Sequence, residues 1–409
     1  MSRLPVLAVL TFQLLLAPVL ARSADEPASI ASATPRAAVT VDPFYDVPTL
    51  SPDGQPGDLL RAEPIVAPEG VIAWRILYRS TGLAGAPVVV SGTVFAPDVK
   101  PPSDGFPVVA IGHNTTGIAP ACGPSLDPFT PLPGADAAFY PEQAEPFVDA
   151  GFAVVATDYR GLGAADGVHP YLVGEAAAYD VLDAARAAPH VDGLRLRSET
   201  ILWGHSQGGH AAAWAGQKAA DYAPEIDIVG VALAAPAADP AALIASATRD
   251  ATAATPLTGF VASLVIPWET VYPGIASPSA LTPVGRAKTE VIAQECIPAV
   301  AAAYADRPLG DYLDVDIFSS RPWIEPLERN AAGRAPTAAP VLVVQGTADL
   351  LVPSAVTETF VQRLCDTGTT VRLDLYPDVG HGAVIAAAMP DILTWVSDRL
   401  SGAPANSEC

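Results

Sequence analysis

The run Gly204-His205-Ser206-Gln207-Gly208 sets one serine between two glycines, each two residues away, after an apolar stretch (200–203) and before an Ala-rich one (210–220). Strand, tight turn and helix is the context in which G-x-S-x-G forms a nucleophile elbow. A serine hydroxyl attacks poorly until a base takes its proton, and that base needs an acid to fix its tautomer. Only His210 and His381 follow Ser206 in the chain. His210 falls one turn into the helix that Ser206 opens, which suits a structural role. His381 stands in Asp378-Val379-Gly380-His381-Gly382, between the last apolar run and the final helix, and is the expected base. The expected acid is Asp349, 32 residues earlier, past the end of another apolar run. Asp378 is the rival, although it suits a turn after Pro377. The backbone N–H of Gln207 and one from the loop Gly112-His113-Asn114-Thr115-Thr116-Gly117 are the expected oxyanion donors. Thr115 is the choice in that loop and Thr116 the alternative.

Positioning these residues takes a sheet. Short apolar runs at 106–111, 152–157, 201–203, 228–233, 341–344 and 371–376 alternate with helical stretches at 141–150, 174–188, after Ser206, 354–365 and 383–400. That is the pattern of parallel βα units. Residues 73–78 and 87–95 read as an antiparallel hairpin at the sheet edge. Two edge strands and six parallel ones, with the serine after the fifth, give the α/β-hydrolase order. The expected fold is therefore an α/β-hydrolase, a mostly parallel sheet flanked by helices. About a hundred residues separate the sixth and seventh of these strands, where a crossover helix needs about a dozen. The expectation is a helical cap over residues 237–337, inserted after the sixth strand into a core formed by 71–236 and 338–409. Residues 24–70, rich in Pro, Ala and Asp, read as an extended N-terminal arm whose aromatic anchor is Phe44-Tyr45.

Half of the 409 residues are hydrophobic, enough for a large core. Residues 1–23 have one early arginine, an apolar run and Ala-Arg-Ser before residue 24, the form of a cleaved signal peptide. The expected location is secreted, extracellular or periplasmic. A net charge of −22 argues against nucleic acid and anionic lipid surfaces as electrostatic partners. In an oxidising compartment four cysteines favour two disulfides, and three pairings are open. A link from Cys365 to the terminal Cys409 would tie down the tail. No two cysteines are close enough in sequence to suggest a metal site.

Gly204-His205-Ser206-Gln207-Gly208-Gly209, Tyr171-Leu172-Val173-Gly174, Asp158-Tyr159-Arg160-Gly161-Leu162-Gly163 and Gly346-Thr347-Ala348-Asp349 together resemble the secretory lipase family, the Candida lipase A-like group. The resemblance runs over about residues 65–409. It implies a secreted lipase or carboxylesterase with the triad Ser206, Asp349, His381, and bridges Cys122–Cys296 and Cys365–Cys409. In one place the chain departs from the pattern: Asn114 stands where many bacterial relatives have a glycine before the threonines. Asparagine tolerates left-handed backbone, so the loop is expected to keep its turn.

The expected chemistry is acyl transfer to water, with no cofactor or metal. The partner is a small-molecule ester or lipid, met by a monomer that touches a lipid interface transiently. Two readings from other classes share the residues. One is a secreted serine peptidase on the same fold, with Glu175 or Glu269 fixing a peptide terminus. The other is a non-catalytic binding protein on a hydrolase scaffold.

Overall fold

Strand residues alternate between two faces, and in this chain both faces are apolar. In the strand Phe106–Gly112, Val108 and Ala110 join one buried cluster, while Val109 and Ile111 join another. The first cluster is completed by the helices Gly174–Ala187 and Gln207–Tyr222, whose alanines let them pack closely on the sheet. The second is completed by Phe147 and by the helix Ala383–Leu400. A sheet covered on both faces is what βα crossovers produce.

The computed structural model describes residues 42–409 except 136, 256 and 338. The predicted leader, and the arm up to residue 41, lie outside the described residues. Nine strands form one sheet: β1 (Leu59–Ile65), β2 (Val71–Thr81), β3 (Pro87–Pro97), β4 (Phe106–Gly112), β5 (Ala153–Thr157), β6 (Leu196–His205), β7 (Asp227–Ala234), β8 (Val341–Gly346) and β9 (Val371–Tyr376). Their order is β1-β2-β3-β5-β4-β6-β7-β8-β9. The links β1 to β2, β2 to β3 and β3 to β5 are antiparallel and the rest parallel.

One strand was not expected: β1 lies within the segment read as an extended arm. Its sequence, Leu-Leu-Arg-Ala-Glu-Pro-Ile, has no fully buried residue and contains Pro64, the composition of an edge strand that presents little to a core. The serine thus follows the sixth strand, and the long insertion follows the seventh. Before β1, Phe44 and Tyr45 are buried against Leu77 and Val89, and the Arg75 guanidinium lies 4.4 Å over the Phe44 ring.

Between β7 and β8 the chain is helical, from Pro240–Ala247 and Leu257–Val271 through to Arg321–Arg329. Its apolar residues, Trp268 and Trp323 among them, form one buried cluster with Ile118, Tyr171, Leu172 and Val352 from the loops at the strand ends. Residues Asp42–Cys409 make one compact unit. The disulfides are Cys122–Cys296, from the loop after β4 to the insertion, and Cys365–Cys409, which fastens the tail. Among the described residues no helix is long and apolar enough to cross a membrane.

Candidate active site

Ser206 sits at the end of β6 with φ 57° and ψ −117°, left-handed backbone that a serine adopts only when its surroundings force it. Two glycines make this turn possible. A Cβ on Gly204 would lie 2.0 Å from the Gly208 carbonyl oxygen, and one on Gly208 would lie 1.8 Å from that of Gly112. The turn is locked by hydrogen bonds from the Ser206 N–H to the Ala234 carbonyl (3.0 Å) and from the Ala237 N–H to the Ser206 carbonyl (2.9 Å). The Gln207 N–H opens the following helix, where the first amides have no partner within the helix and the dipole favours negative charge.

Parallel pairing of β4 with β6, Gly112 opposite Gly204, brings the loop 113–117 alongside this elbow. That loop is held from below. The Tyr159 hydroxyl donates to the His113 carbonyl (3.0 Å), and the Gln143 amide donates to Asn114 Oδ1 (2.9 Å). The Ile297 N–H donates to the Thr116 carbonyl (2.7 Å), next to the Cys122–Cys296 bridge. The Thr115 and Tyr171 hydroxyls are hydrogen-bonded at 3.0 Å. Asn114 does not use the left-handed backbone that asparagine tolerates. Gly117, with φ 139°, makes the turn, and Asn114 serves as an anchor through its side chain.

Asp349 lies in the loop after β8 and His381 in the loop after β9, and the structure joins them: Nδ1 of His381 is 2.7 Å from Oδ2 of Asp349. The other carboxylate oxygen accepts the N–H groups of Leu351 and Val352, both at 2.8 Å. Burial opposes ionisation of Asp349, but the hydrogen bond and charge of His381 and the two amides outweigh it and hold the carboxyl below the usual carboxylate range. The rival Asp378, at φ 59°, turns the chain after β9 and donates its N–H to the Thr347 hydroxyl (2.9 Å). His210 lies away from this pair, with Nε2 donating to the Asn330 carbonyl at 2.8 Å. Ser206 reaches the pair through its neighbour: the His205 ring is 4.6 Å from that of His381 and its Nε2 donates to the His381 carbonyl (3.1 Å). The Ser206 hydroxyl itself makes no hydrogen bond to the His381 ring in this conformation.

Three supporting residues escape a reading of the sequence. Gln345, fully buried at the end of β8, donates to Asp349 Oδ2 (3.1 Å) and accepts from the Thr357 hydroxyl (2.7 Å), so it braces the carboxylate. Its one signal is a polar residue inside an apolar run. His205 is neutral, its pKa lowered to about 3 by burial and then by the charge of His381. Burial likewise lowers His169 to about 3. His169 Nδ1 donates to the Arg160 carbonyl (3.2 Å), leaving Nε2 to accept from the Gln207 amide at 2.9 Å. That bond fixes the Gln207 side chain beside the helix N-terminus.

An apolar cavity of about 70 Å³ opens beside Ser206. Tyr171, Leu172 and Val352 line it from the core, and Ile244, Phe260 and Leu264 from the insertion. The arrangement offers an alcohol nucleophile, a carboxylate-bound imidazole, unpaired amides at a helix N-terminus and a hydrocarbon-lined slot. Among the described residues no group of three or more His, Cys, Asp and Glu is placed to hold a metal ion.

Known proteins share this architecture. The probable inactive lipase MT1628 of Mycobacterium tuberculosis (strain CDC 1551 / Oshkosh) is 29% identical over 380 residues, 89% of this chain and 82% of that protein. Lipase 9 of Candida albicans (strain SC5314 / ATCC MYA-2876) is 25% identical over 400 residues, 90% of this chain and 84% of that one. Among solved structures, Candida antarctica lipase A in its closed state matches with a TM-score of 0.76 at 21% identity, over 90% of this chain and 87% of that one. The rice cell wall degrading esterase LipA from Xanthomonas oryzae matches with a TM-score of 0.68 at 18% identity, over 86% and 100%. These likenesses carry the α/β-hydrolase fold. The sequence model of the secretory lipase family matches residues 143–408, which include the elbow, the Asp349–His381 pair and the whole insertion. The chain therefore belongs to the secretory lipase family, a lipase/esterase family of the α/β-hydrolase fold.

Proposed function

We propose that this protein is a secreted serine carboxylic-ester hydrolase, a lipase or carboxylesterase acting on acylglycerols or other hydrophobic esters. Ser206 is the nucleophile, His381 the base and Asp349 its orienting acid. The Ser206 Oγ forms a bond to the ester carbonyl carbon while its proton passes to Nε2 of His381. The carbonyl oxygen becomes an oxyanion, held by the Gln207 and Thr115 amides. Collapse breaks the bond to the alcohol oxygen, which takes the proton from His381 and leaves an acyl-enzyme. Water, deprotonated by His381, then releases the acid and restores Ser206.

One observation carries the reading: the 2.7 Å Asp349–His381 hydrogen bond, beside a strained serine turn that opens on an apolar cavity. The insertion that walls this cavity acts as a cap, and its Ile244, Phe260 and Leu264 favour a hydrocarbon acyl chain. Two disulfides and the leader-like residues 1–23 support an oxidising, extracytoplasmic location.

The test is initial rate across p-nitrophenyl esters from acetate to palmitate, for the wild type and Ser206→Ala. The wild type should turn over, and Ser206→Ala should lose about 10⁶ in kcat with an unchanged circular dichroism spectrum. A mutant that kept near-wild-type rates would refute the assignment.

A further inference from the structure

The cavity beside Ser206 accounts for only one half of an ester. A second cavity, of about 470 Å³, lies against the loop 113–117 and shares no lining residue with the first. Its wall comprises residues 114–116, the Pro-rich loop after β4 including Leu126, Asp127, Thr130 and Leu132, and Ile297 and Pro298 of the insertion. The Thr115–Tyr171 hydrogen bond links their walls: Tyr171 lines the first and Thr115 the second.

Resting on the reading of Ser206 as an esterase nucleophile, we propose that this second cavity is the leaving-group subsite and that it takes a neutral, hydroxyl-bearing alcohol such as glycerol or a sugar. An ester held with its carbonyl oxygen at the Thr115 amide has two substituents that diverge from the carbonyl carbon, and the two voids offer a separate place for each. The hydrocarbon-lined slot at Ser206 suits the acyl chain. The larger void suits the alcohol, being lined by the polar residues Asn114, Thr115, Thr116 and Thr130 as well as by apolar ones.

Charge narrows the choice further. Asp127, an exposed residue of the cavity wall, is acidic, so an anionic leaving group meets like charge there. The wall is also preformed, which limits the ordering that binding would require. Cys122–Cys296 staples it, and the N–H of Ser125 donates to the buried Asp158 carboxylate at 2.8 Å.

The experiment holds the acyl group constant and varies the alcohol: ethyl, glycerol, glucose and lactate esters of one fatty acid, compared by kcat/KM. The wild type should favour the glycerol and glucose esters over the ethyl ester and disfavour the anionic lactate ester. Thr130 and Ala137 sit at exposed points of the rim, where a larger side chain does not disturb the core. Thr130→Trp and, independently, Ala137→Trp should lower the glucose-to-ethyl ratio of kcat/KM by about tenfold. Asp127→Asn should raise the lactate-to-ethyl ratio. Ratios that stay at their wild-type values in all three variants would overturn the subsite while leaving the esterase reading intact. Failure of the wild type to hydrolyse any ester would overturn both.

Discussion

Replacing Asp349 by Asn tests the proposed mechanism at its best-defined contact. In the wild type Oδ2 accepts from His381 Nδ1 at 2.7 Å and from the Gln345 amide at 3.1 Å, while Oδ1 accepts two backbone N–H groups. The asparagine oxygen would stay with the two N–H groups, because they need an acceptor. Its NH₂ would then face His381 and Gln345, two donors. His381 can answer only by moving its proton to Nε2, which leaves Nδ1 as the acceptor and makes Nε2 unable to take the Ser206 proton. The same inversion of tautomer in a Ser-His-Asp triad lowers kcat by ~10⁴, or ~5.5 kcal/mol of transition-state stabilisation. The buried clash between the introduced side-chain amide and that of Gln345 adds a stability loss of ~1–3 kcal/mol. The assay is kcat on a short soluble ester at saturating substrate, with a thermal melt beside it. Asp378→Asn is the control and should stay close to wild type, since the hydrogen bond to His381 Nδ1 comes from Asp349. An Asp349→Asn enzyme within tenfold of wild type, or an equal loss in Asp378→Asn, would refute the assignment of the acid.

Two further outcomes follow from the same contacts. Cys122 and Cys296 close a 174-residue separation and Cys365 and Cys409 a 44-residue one; the chain-entropy relation makes these ~5 and ~4 kcal/mol of stability respectively. Substituting serine at either pair should therefore lower the denaturation midpoint to a similar degree. Only the Cys122/Cys296 double variant should also lose ~10²-fold in kcat by freeing the oxyanion loop, and equal kcat values in the two double variants would count against that role. Stability should also fall on acidification. Burial holds His169 and His205 near pKa about 3 and His210 near about 4, against 6.5 in the unfolded chain, so unfolding takes up three protons as pH drops below 6.5. Asp183 works the other way: burial raises it from 3.8 to about 6, so the folded state holds a proton there that the unfolded state releases. For these four groups the net uptake near pH 5 is about two protons, or ~2.7 kcal/mol per pH unit, and a melting temperature constant from pH 7 to 5 would show that these histidines charge in place.

Much of the site was legible because backbone geometry demands particular residues. Only glycine fits at 204 and 208, where any Cβ would overlap a carbonyl, and that demand marks the elbow in sequence. Asp349 and His381 were legible through position, since each follows an apolar strand and loops at the carboxyl ends of parallel strands converge. What escaped depends on partners distant in sequence. Nothing near Gln345 shows that it braces Asp349, and nothing near Asn114 shows that Gln143 would anchor it in place of a left-handed turn. The edge strand β1 escaped for another reason: with little to bury, it carries no apolar periodicity, and its pairing with β2 is a backbone property.

The contacts between insertion and core also bear on what the insertion can do. Three ties join the insertion to the core around the loop 113–117, namely Cys296 to Cys122, the Ile297 N–H to the Thr116 carbonyl, and Trp268 Nε1–H to the Tyr171 carbonyl at 2.8 Å; Tyr171 in turn bonds Thr115 between hydroxyls. Tyr171 is at once a wall of the apolar cavity, a partner of the helix Leu257–Val271 and a support of Thr115. A shift of that helix that widens the cavity therefore pulls on the residue whose amide is to hold the oxyanion. On the proposed mechanism, acyl fit and transition-state stabilisation are one mechanical unit. A chain that fills the slot well keeps Thr115 in place, and its binding energy is then expressed in kcat as well as in KM.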